Sequence, residues 1–228
     1  MTVNHSNRTF HGVQALIFDL DGTLIDSKLD LALAVNATLE HMGREPLEHE
    51  RIYGYVGDGA PMLVRRALGT EVSEQELAQG LEYFLSYYRD HMLDHTVTYP
   101  GVREGLELLK AYRMAVLTNK PVRFSQGILD GLGIARCFRY VYGGNSFRTK
   151  KPDPEGANVL LRDLGVRPHE AMVVGDSEVD VRTARNAGTW VCGVSYGLGT
   201  EGLRIYPPDI LIDSLTELAA HLNGSHSF

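Results

Sequence analysis

Six short apolar runs recur along this chain, and stretches with helical spacing follow most of them. The runs are Ala15–Leu20 (ALIFDL), Met114–Asn119 (MAVLTN), Tyr140–Gly144 (YVYGG), Ala171–Asp176 (AMVVGD), Trp190–Ser195 (WVCGVS) and Asp209–Asp213 (DILID). Several are nearly continuous, without polar–apolar alternation, which is how strands buried on both faces read. Between them lie patterns such as VREGLELLKAY, EGANVLLRDLG and VDVRTARNAG, with apolar residues at helical spacing and glycine near the ends. Strand–helix alternation of this kind predicts an α/β fold, a doubly wound Rossmann-like parallel sheet with helices on both faces.

One region breaks the rhythm. From Lys28 to Thr96 no strand pattern is convincing, and LDLALAVNATLEHMG, APMLVRRALG and SEQELAQGLEYFLSYYRDHML all read as helices. The turn signal at Tyr99–Val102 then restarts the alternation. The expected organisation is a discontinuous α/β core over 12–27 and 97–224, an inserted α-helical subdomain over 28–96, and loose tails at 1–11 and 225–228. A chain of 228 residues, 43% hydrophobic and 22% charged, can fill such a core.

Charge and composition narrow the function. The net charge of −7 argues against non-specific nucleic-acid binding, which needs a basic face. No run of apolar residues is long enough to span a membrane. The polar opening MTVNHSNRTFHG has no apolar signal region, so the cytoplasm is the expected compartment. The two cysteines, Cys137 and Cys192, read as reduced core residues.

In doubly wound sheets, ligands bind beyond the carboxyl ends of the strands. The first predicted strand leads into Asp19-Leu-Asp21-Gly-Thr, and the second ends in Thr118-Asn119-Lys120. Lys150-Lys151-Pro152 precedes the fourth, which ends in Gly175-Asp176-Ser177-Glu178-Val179-Asp180. This winding brings several carboxylates, a lysine and a hydroxyl to one edge. Carboxylates crowded in this way must be protonated, paired or metal-bound. Hard oxygen ligands without cysteine or histidine suit Mg²⁺, which leaves room for substrate phosphate oxygens. An aspartate can attack phosphorus, because the acyl phosphate it forms is readily hydrolysed. The pattern points to metal-assisted phosphoryl transfer through an aspartyl-phosphate.

DLDGTLIDS, LTNK, KKPDP and GDSEVD, in this order and at these separations, resemble the four motifs of the haloacid dehalogenase superfamily. The resemblance runs from about Val13 to about Leu222, and the helical insert is similar to that superfamily's helical cap. Within it, DGTLIDS, VGDGA, LTNKP and GDSEVD look like phosphoglycolate-phosphatase-like enzymes. The resemblance implies Asp19 as nucleophile and Asp21 as acid/base. It implies Mg²⁺ on the Asp19 carboxylate, the Asp21 backbone carbonyl and Asp176. Thr118, Asn119, Lys151 and Gly22 are the implied phosphate-binding residues, with Lys151 also balancing the charge on Asp19. Asp180 is implied to position Lys151 or a metal-bound water, with Ser177 in support. The expected ligand is a small phosphorylated metabolite, 2-phosphoglycolate first, taken by a monomer or homodimer without nucleic-acid or membrane partners.

In the insert, Gly57, Asp58, Gly59 and Arg65 are candidates for substrate specificity. Asp26 and Asp30 read as caps of an insert helix, and Tyr83, Tyr87 and Tyr88 as packing residues. Gly197-Leu-Gly199-Thr-Glu-Gly202 fits G-x-G-x-x-G, but the prolines at 207 and 208 stop the helix a dinucleotide fingerprint would open. The nine histidines lack metal-ligand spacing, which disfavours zinc. Rival readings within the superfamily are a pyrophosphatase, a nucleotide or sugar phosphatase and a β-phosphoglucomutase-like mutase. A dehalogenase has no use for the second aspartate. A regulatory phospho-acceptor domain needs neither Asp21 nor the insert.

Overall fold

The computed structural model describes residues 10, 12–69 and 71–223. The chain begins with β1 (Ala15–Phe18) and a two-residue strand β2 (Ile25–Asp26), then runs through α1 (Lys28–His41), α2 (His49–Tyr53), α3 (Ala60–Leu68) and α4 (Glu74–His91). A second two-residue strand, β3 (Val97–Thr98), leads into α5 (Val102–Leu108), β4 (Arg113–Leu117), α6 (Val122–Gly131) and β5 (Tyr140–Tyr142). The remainder is α7 (Glu155–Leu164), β6 (Ala171–Gly175), α8 (Glu178–Ala187), β7 (Trp190–Val194), α9 (Gly202–Ile205), β8 (Ile210–Ile212) and α10 (Leu215–Asn223).

Six strands form one parallel sheet in the order β5-β4-β1-β6-β7-β8. All six predicted strands are there. The period-two geometry of a strand splits their side chains between two apolar layers. Leu16, Phe18, Val116 and Val174 pack with Leu106 of α5, Ile128 of α6 and Leu218 of α10. Ile17, Ala115 and Val173 pack on the other face with Leu160 of α7 and Val181 of α8. Helices on both faces are why the strands carry unbroken apolar runs. Each large aliphatic side chain buried here contributes about 1.5–3 kcal/mol.

The order reverses direction at β1. Its registers pair Ala15 with Arg113 on one side and with Ala171 on the other. Such a switch point opens a crevice beyond the strand's carboxyl end, where Asp19 and Asp21 follow.

Helices α1–α4 occupy the predicted insert. A capping box opens α4: Glu76 N–H donates to Ser73 Oγ at 3.2 Å, and Ser73 N–H donates to Glu76 Oε2 at 3.1 Å. Neither α2 nor the pairing of β2 with β3 is foreshadowed by a sequence pattern; the two strands join antiparallel through Ile25–Thr98 and Asp26–Val97. Asp30 does not cap its helix. Its buried carboxylate accepts from the backbone N–H groups of His95 and Thr96 and from Thr96 Oγ1, so it holds the two connections to the insert together.

Two other expectations need correction. Phe10 is no part of a loose tail: it is 2% exposed, with its ring edge-on to Trp190 at 5.5 Å. Residues 1–9, 11 and 224–228 lie outside the described residues. Cys192 is a buried core thiol as expected, but Cys137 is only half-buried; both are free. No helix among the described residues is long and apolar enough to cross a membrane.

Candidate active site

Buried strands deliver the site residues to one cleft. Asp19 follows β1, Thr118 and Lys120 follow β4, and Asp176 follows β6. The cleft encloses about 710 Å³, solvent at its mouth included, and the insert forms its far wall through Gly57, Gly59, Leu63 and Tyr88.

Lys151 is the hub of the acidic side. Its Nζ lies 2.8 Å from Asp19 Oδ1 and 2.7 Å from Asp180 Oδ1, with side-chain exposures of 4% for the lysine and 0% for Asp180. Burial opposes its charge, but Asp180 and Asp19 outweigh burial and hold the ammonium above its ordinary value. Asp180 is fully engaged, since its Oδ2 also accepts from Ser177 N–H and, at 2.6 Å, from Ser177 Oγ. The structure thus joins Asp180 and Ser177 as supports of Lys151. Arg182 and Arg185 pair elsewhere, with Glu178 and Asp209.

Asp176 shows how tightly the site is built. Its Oδ2 accepts from Leu198 N–H at 2.7 Å and Gly199 N–H at 2.8 Å. The G-x-G-x-x-G stretch that follows β7 is therefore a clamp for a carboxylate, a role that sequence spacing alone does not reveal. A Cβ at Gly197 would lie 2.2 Å from Asp176 Cβ, and one at Gly22, where φ is +83°, would lie 2.3 Å from Asp176 Oδ2. Burial, with Asp180 and Asp19 adding to it, pushes the Asp176 carboxyl up to about 7. Burial also lifts Asp19 to about 6, against the pull of Lys151.

These features are a test for a cation. Oxygens of Asp19, Asp176 and Asp180 all lie within 4.8 Å of one another. Asp19 Oδ1 is buried and has no hydrogen bond of good geometry, despite its ion pair. Both Asp180 oxygens take close bonds from Lys151 and Ser177, whereas Asp176 Oδ1 takes only a long one, 3.4 Å, from Thr23 Oγ1. An all-oxygen, buried, over-crowded set fits a hard divalent ion.

Asp21 has different company. Ser27 Oγ donates to its Oδ1 at 2.5 Å, and Lys120 Nζ lies 3.0 and 3.1 Å from its two oxygens. The two aspartates of the dyad are thus served by two different lysines. Sequence reasoning gave Lys120 and Ser27 no role; the position of Lys120 beside Thr118 and Asn119 was the available signal.

Asn119 and the insert candidates divide. The Asn119 amide donates to Gly57 O at 3.1 Å and Lys151 O at 3.2 Å, and its Oδ1 accepts from Lys151 N–H at 3.0 Å. Its side chain ties loops together beside the cleft. Gly57 and Gly59 line the cleft, and a Cβ at Gly59 would meet Asn119 O at 2.8 Å. Asp58 pairs with Arg66, and Arg65 is drawn to Glu74 at 2.8 Å on the exposed side. Arg65 is not among the residues that line the cleft. Tyr83 and Tyr87 stack with His41 and His91, whereas Tyr88 reaches the cleft.

Residues 16–194 match the haloacid dehalogenase-like hydrolases. The chain belongs to that family. This hydrolase is 40% identical over 212 residues to a phosphoglycolate phosphatase from Chromobacterium violaceum, covering 90% of this chain and 95% of the relative. It is 38% identical over 218 residues to one from Colwellia psychrerythraea, covering 92% and 96%. The crystal structure of a predicted phosphoglycolate phosphatase from Haemophilus somnus 129PT superposes with a TM-score of 0.87 at 32% identity, covering 92% of the hydrolase and 97% of that chain. The hydrolase is thus an enzyme whose curated relatives are phosphatases.

Proposed function

We propose that this chain is a Mg²⁺-dependent phosphatase that hydrolyses 2-phosphoglycolate to glycolate and phosphate through an aspartyl-phosphate on Asp19. What carries this reading is the division of labour in the dyad: Asp19 is set against Lys151, and Asp21 against Ser27 and Lys120. Each carboxyl has its own partners, which supports giving the two of them different roles. The relatives' names supply the substrate.

Asp19, Asp176 and the backbone carbonyl of Asp21 would hold the cation. When bound, it neutralises phosphate charge and favours the ionised form of Asp19. Lys151 adds a second positive charge beside the nucleophile and the phosphoryl oxygens. An Asp19 oxygen attacks phosphorus as the bond to the leaving oxygen breaks, and Asp21 gives that oxygen a proton. Water then attacks the phosphorus, its proton passes to Asp21, and the Asp19–phosphorus bond breaks. Thr118, whose hydroxyl accepts from Lys120 N–H at 3.3 Å, has a hydrogen left to donate to the phosphoryl group. In this reading 28–96 is a cap over a discontinuous core at 12–27 and 97–224, and its closure excludes bulk water.

The test is a panel of phosphate esters assayed with Mg²⁺ and then with EDTA, for the wild type and Asp19→Asn. Hydrolysis of 2-phosphoglycolate, lost with either change, is expected. Activity surviving Asp19→Asn removes the aspartyl-phosphate route. Preference for pyrophosphate or a nucleotide overturns the substrate.

A further inference from the structure

The phosphate chemistry leaves a second polar pole of the cleft unused. Lys120 is 6% exposed, and its Nζ lies 4.7 Å from the centre of the Tyr88 ring while contacting both oxygens of Asp21. Asp21 and Tyr88 hold that ammonium charged against the cost of burial. Tyr88 comes from α4, across the cleft. Its ring is fixed between Phe84 at 5.7 Å and Phe124 at 5.5 Å, and it is 1% exposed.

The Tyr88 hydroxyl is buried and has no hydrogen-bond partner. Burial, against the pull of Lys120, pushes this phenol up to about 12, so it keeps its proton at neutral pH. A buried donor without an acceptor is costly, and native structures rarely leave one without a functional reason. Around it the cleft wall is apolar, with Leu31, Leu63, Phe84 and Phe124, and the nearby Lys120 ammonium can only donate, so the phenol hydrogen has no acceptor. An ammonium and an unpartnered phenol lining one small cavity suit a compact anion.

The position of Asp21 says which anion. Its carboxyl faces the leaving oxygen in the reaction, and Lys120 is bonded to that same carboxyl. In 2-phosphoglycolate the carboxylate is attached to the carbon that bears the leaving oxygen. With that oxygen against Asp21, the substrate's own carboxylate comes within reach of Lys120 and Tyr88.

We propose that Lys120 and Tyr88 bind the carboxylate of the substrate and so select phosphorylated small hydroxy acids over plain alkyl phosphates. The inference rests on the phosphatase reading above. One of its residues is in the core and the other in the insert, so the carboxylate is held from both sides when the insert is closed.

The experiment compares kcat/KM for 2-phosphoglycolate and for ethyl phosphate, which has the same carbon chain without the carboxylate. The wild type should prefer 2-phosphoglycolate by about a hundredfold. Lys120→Met should lower that ratio at least about tenfold, chiefly through KM for 2-phosphoglycolate, and Tyr88→Phe at least about threefold. Any equal loss on both esters reports the contact of Lys120 with Asp21, so only the ratio counts. Smaller falls overturn the inference and leave Lys120 as a positioning residue for Asp21. If Lys120→Met does not fold, the ratio for Tyr88→Phe decides alone. A wild type that hydrolyses both esters equally well overturns this inference but keeps the phosphatase. A wild type that hydrolyses neither overturns both.

Discussion

The ammonium of Lys151 stands 2.8 Å from Oδ1 of Asp19, an oxygen that is itself buried. The lysine is the only cation so placed against the nucleophile among the described residues, and Asp180 holds it from behind at 2.7 Å. Lys151→Met should lower kcat about a thousandfold, the scale of losing one preorganised charge at a reacting centre. It should also destabilise the fold by about 3 kcal/mol or more, because two buried carboxylates lose their counter-charge. Urea unfolding alongside steady-state kinetics checks both. Full stability with full activity would remove Lys151 from the site.

Asp21→Asn keeps the shape of the acid but not its proton. Hydrolysis of 2-phosphoglycolate, with its poor leaving group, should fall about 10²–10⁴-fold. With p-nitrophenyl phosphate, whose leaving group needs no proton, the first step should survive and the second should stall. Rapid mixing should then show a burst of nitrophenol approaching one per site. A variant with no burst and unchanged turnover of 2-phosphoglycolate would show that the acid lies elsewhere.

Cation binding should depend on pH in a definite direction. The Asp19 and Asp176 carboxyls sit near 6 and near 7, both raised by burial above the ordinary carboxylate value. Between about pH 4 and 7 the native site therefore binds protons more tightly than the unfolded chain does. Through this pair alone, the cation-free protein gains stability as pH falls across that window and loses it as pH rises. A divalent cation competes with those protons. The thermal shift on adding Mg²⁺ should be large at about pH 8 and small at about pH 5.5, and binding near pH 6.5 should release protons. Calorimetry in buffers of different ionisation enthalpy measures the release. An Mg²⁺ shift that grows as pH falls contradicts the assignment.

Gly197→Ala tests the clamp on Asp176. The new methyl would lie 2.2 Å from Asp176 Cβ and 2.4 Å from Gly22 O. Overpacking of this kind costs about 1–3 kcal/mol. Because the strain falls on the carboxylate, Mg²⁺ affinity should weaken as well, by about tenfold or more, as happens when a ligand's supporting contacts are disturbed. Titration with Mg²⁺ followed by thermal shift separates the two effects.

Legibility followed physical scale. The six sheet strands showed because burial on both faces writes continuous apolar runs, as in Val173 and Val174. Asp19, Asp21 and Asp176 stand out because each follows a strand end with chemistry a sheet does not need, and Lys151 because it sits in the KKPDP run before α7. The strands at Ile25–Asp26 and Val97–Thr98 were silent, since two residues carry no period. The donors on Asp176 were silent because Leu198 and Gly199 act through backbone N–H groups, which any side chain can accompany. Tyr88 packs against Phe84 and Phe124 as its helical spacing predicts, but spacing is silent on its hydroxyl, which has no partner. The pairing of Arg65 is equally silent, because a helix arginine's direction depends on a partner, Glu74, in the next helix.

The pairing of Ile25 with Thr98 and of Asp26 with Val97 has a further consequence. Both leads of the helical segment leave the sheet through one socket, pinned by Asp30. The segment is therefore a cartridge. Another helical segment with its ends spaced alike could take its place without rethreading a single strand of the sheet, leaving the carboxylates at the strand ends where they are.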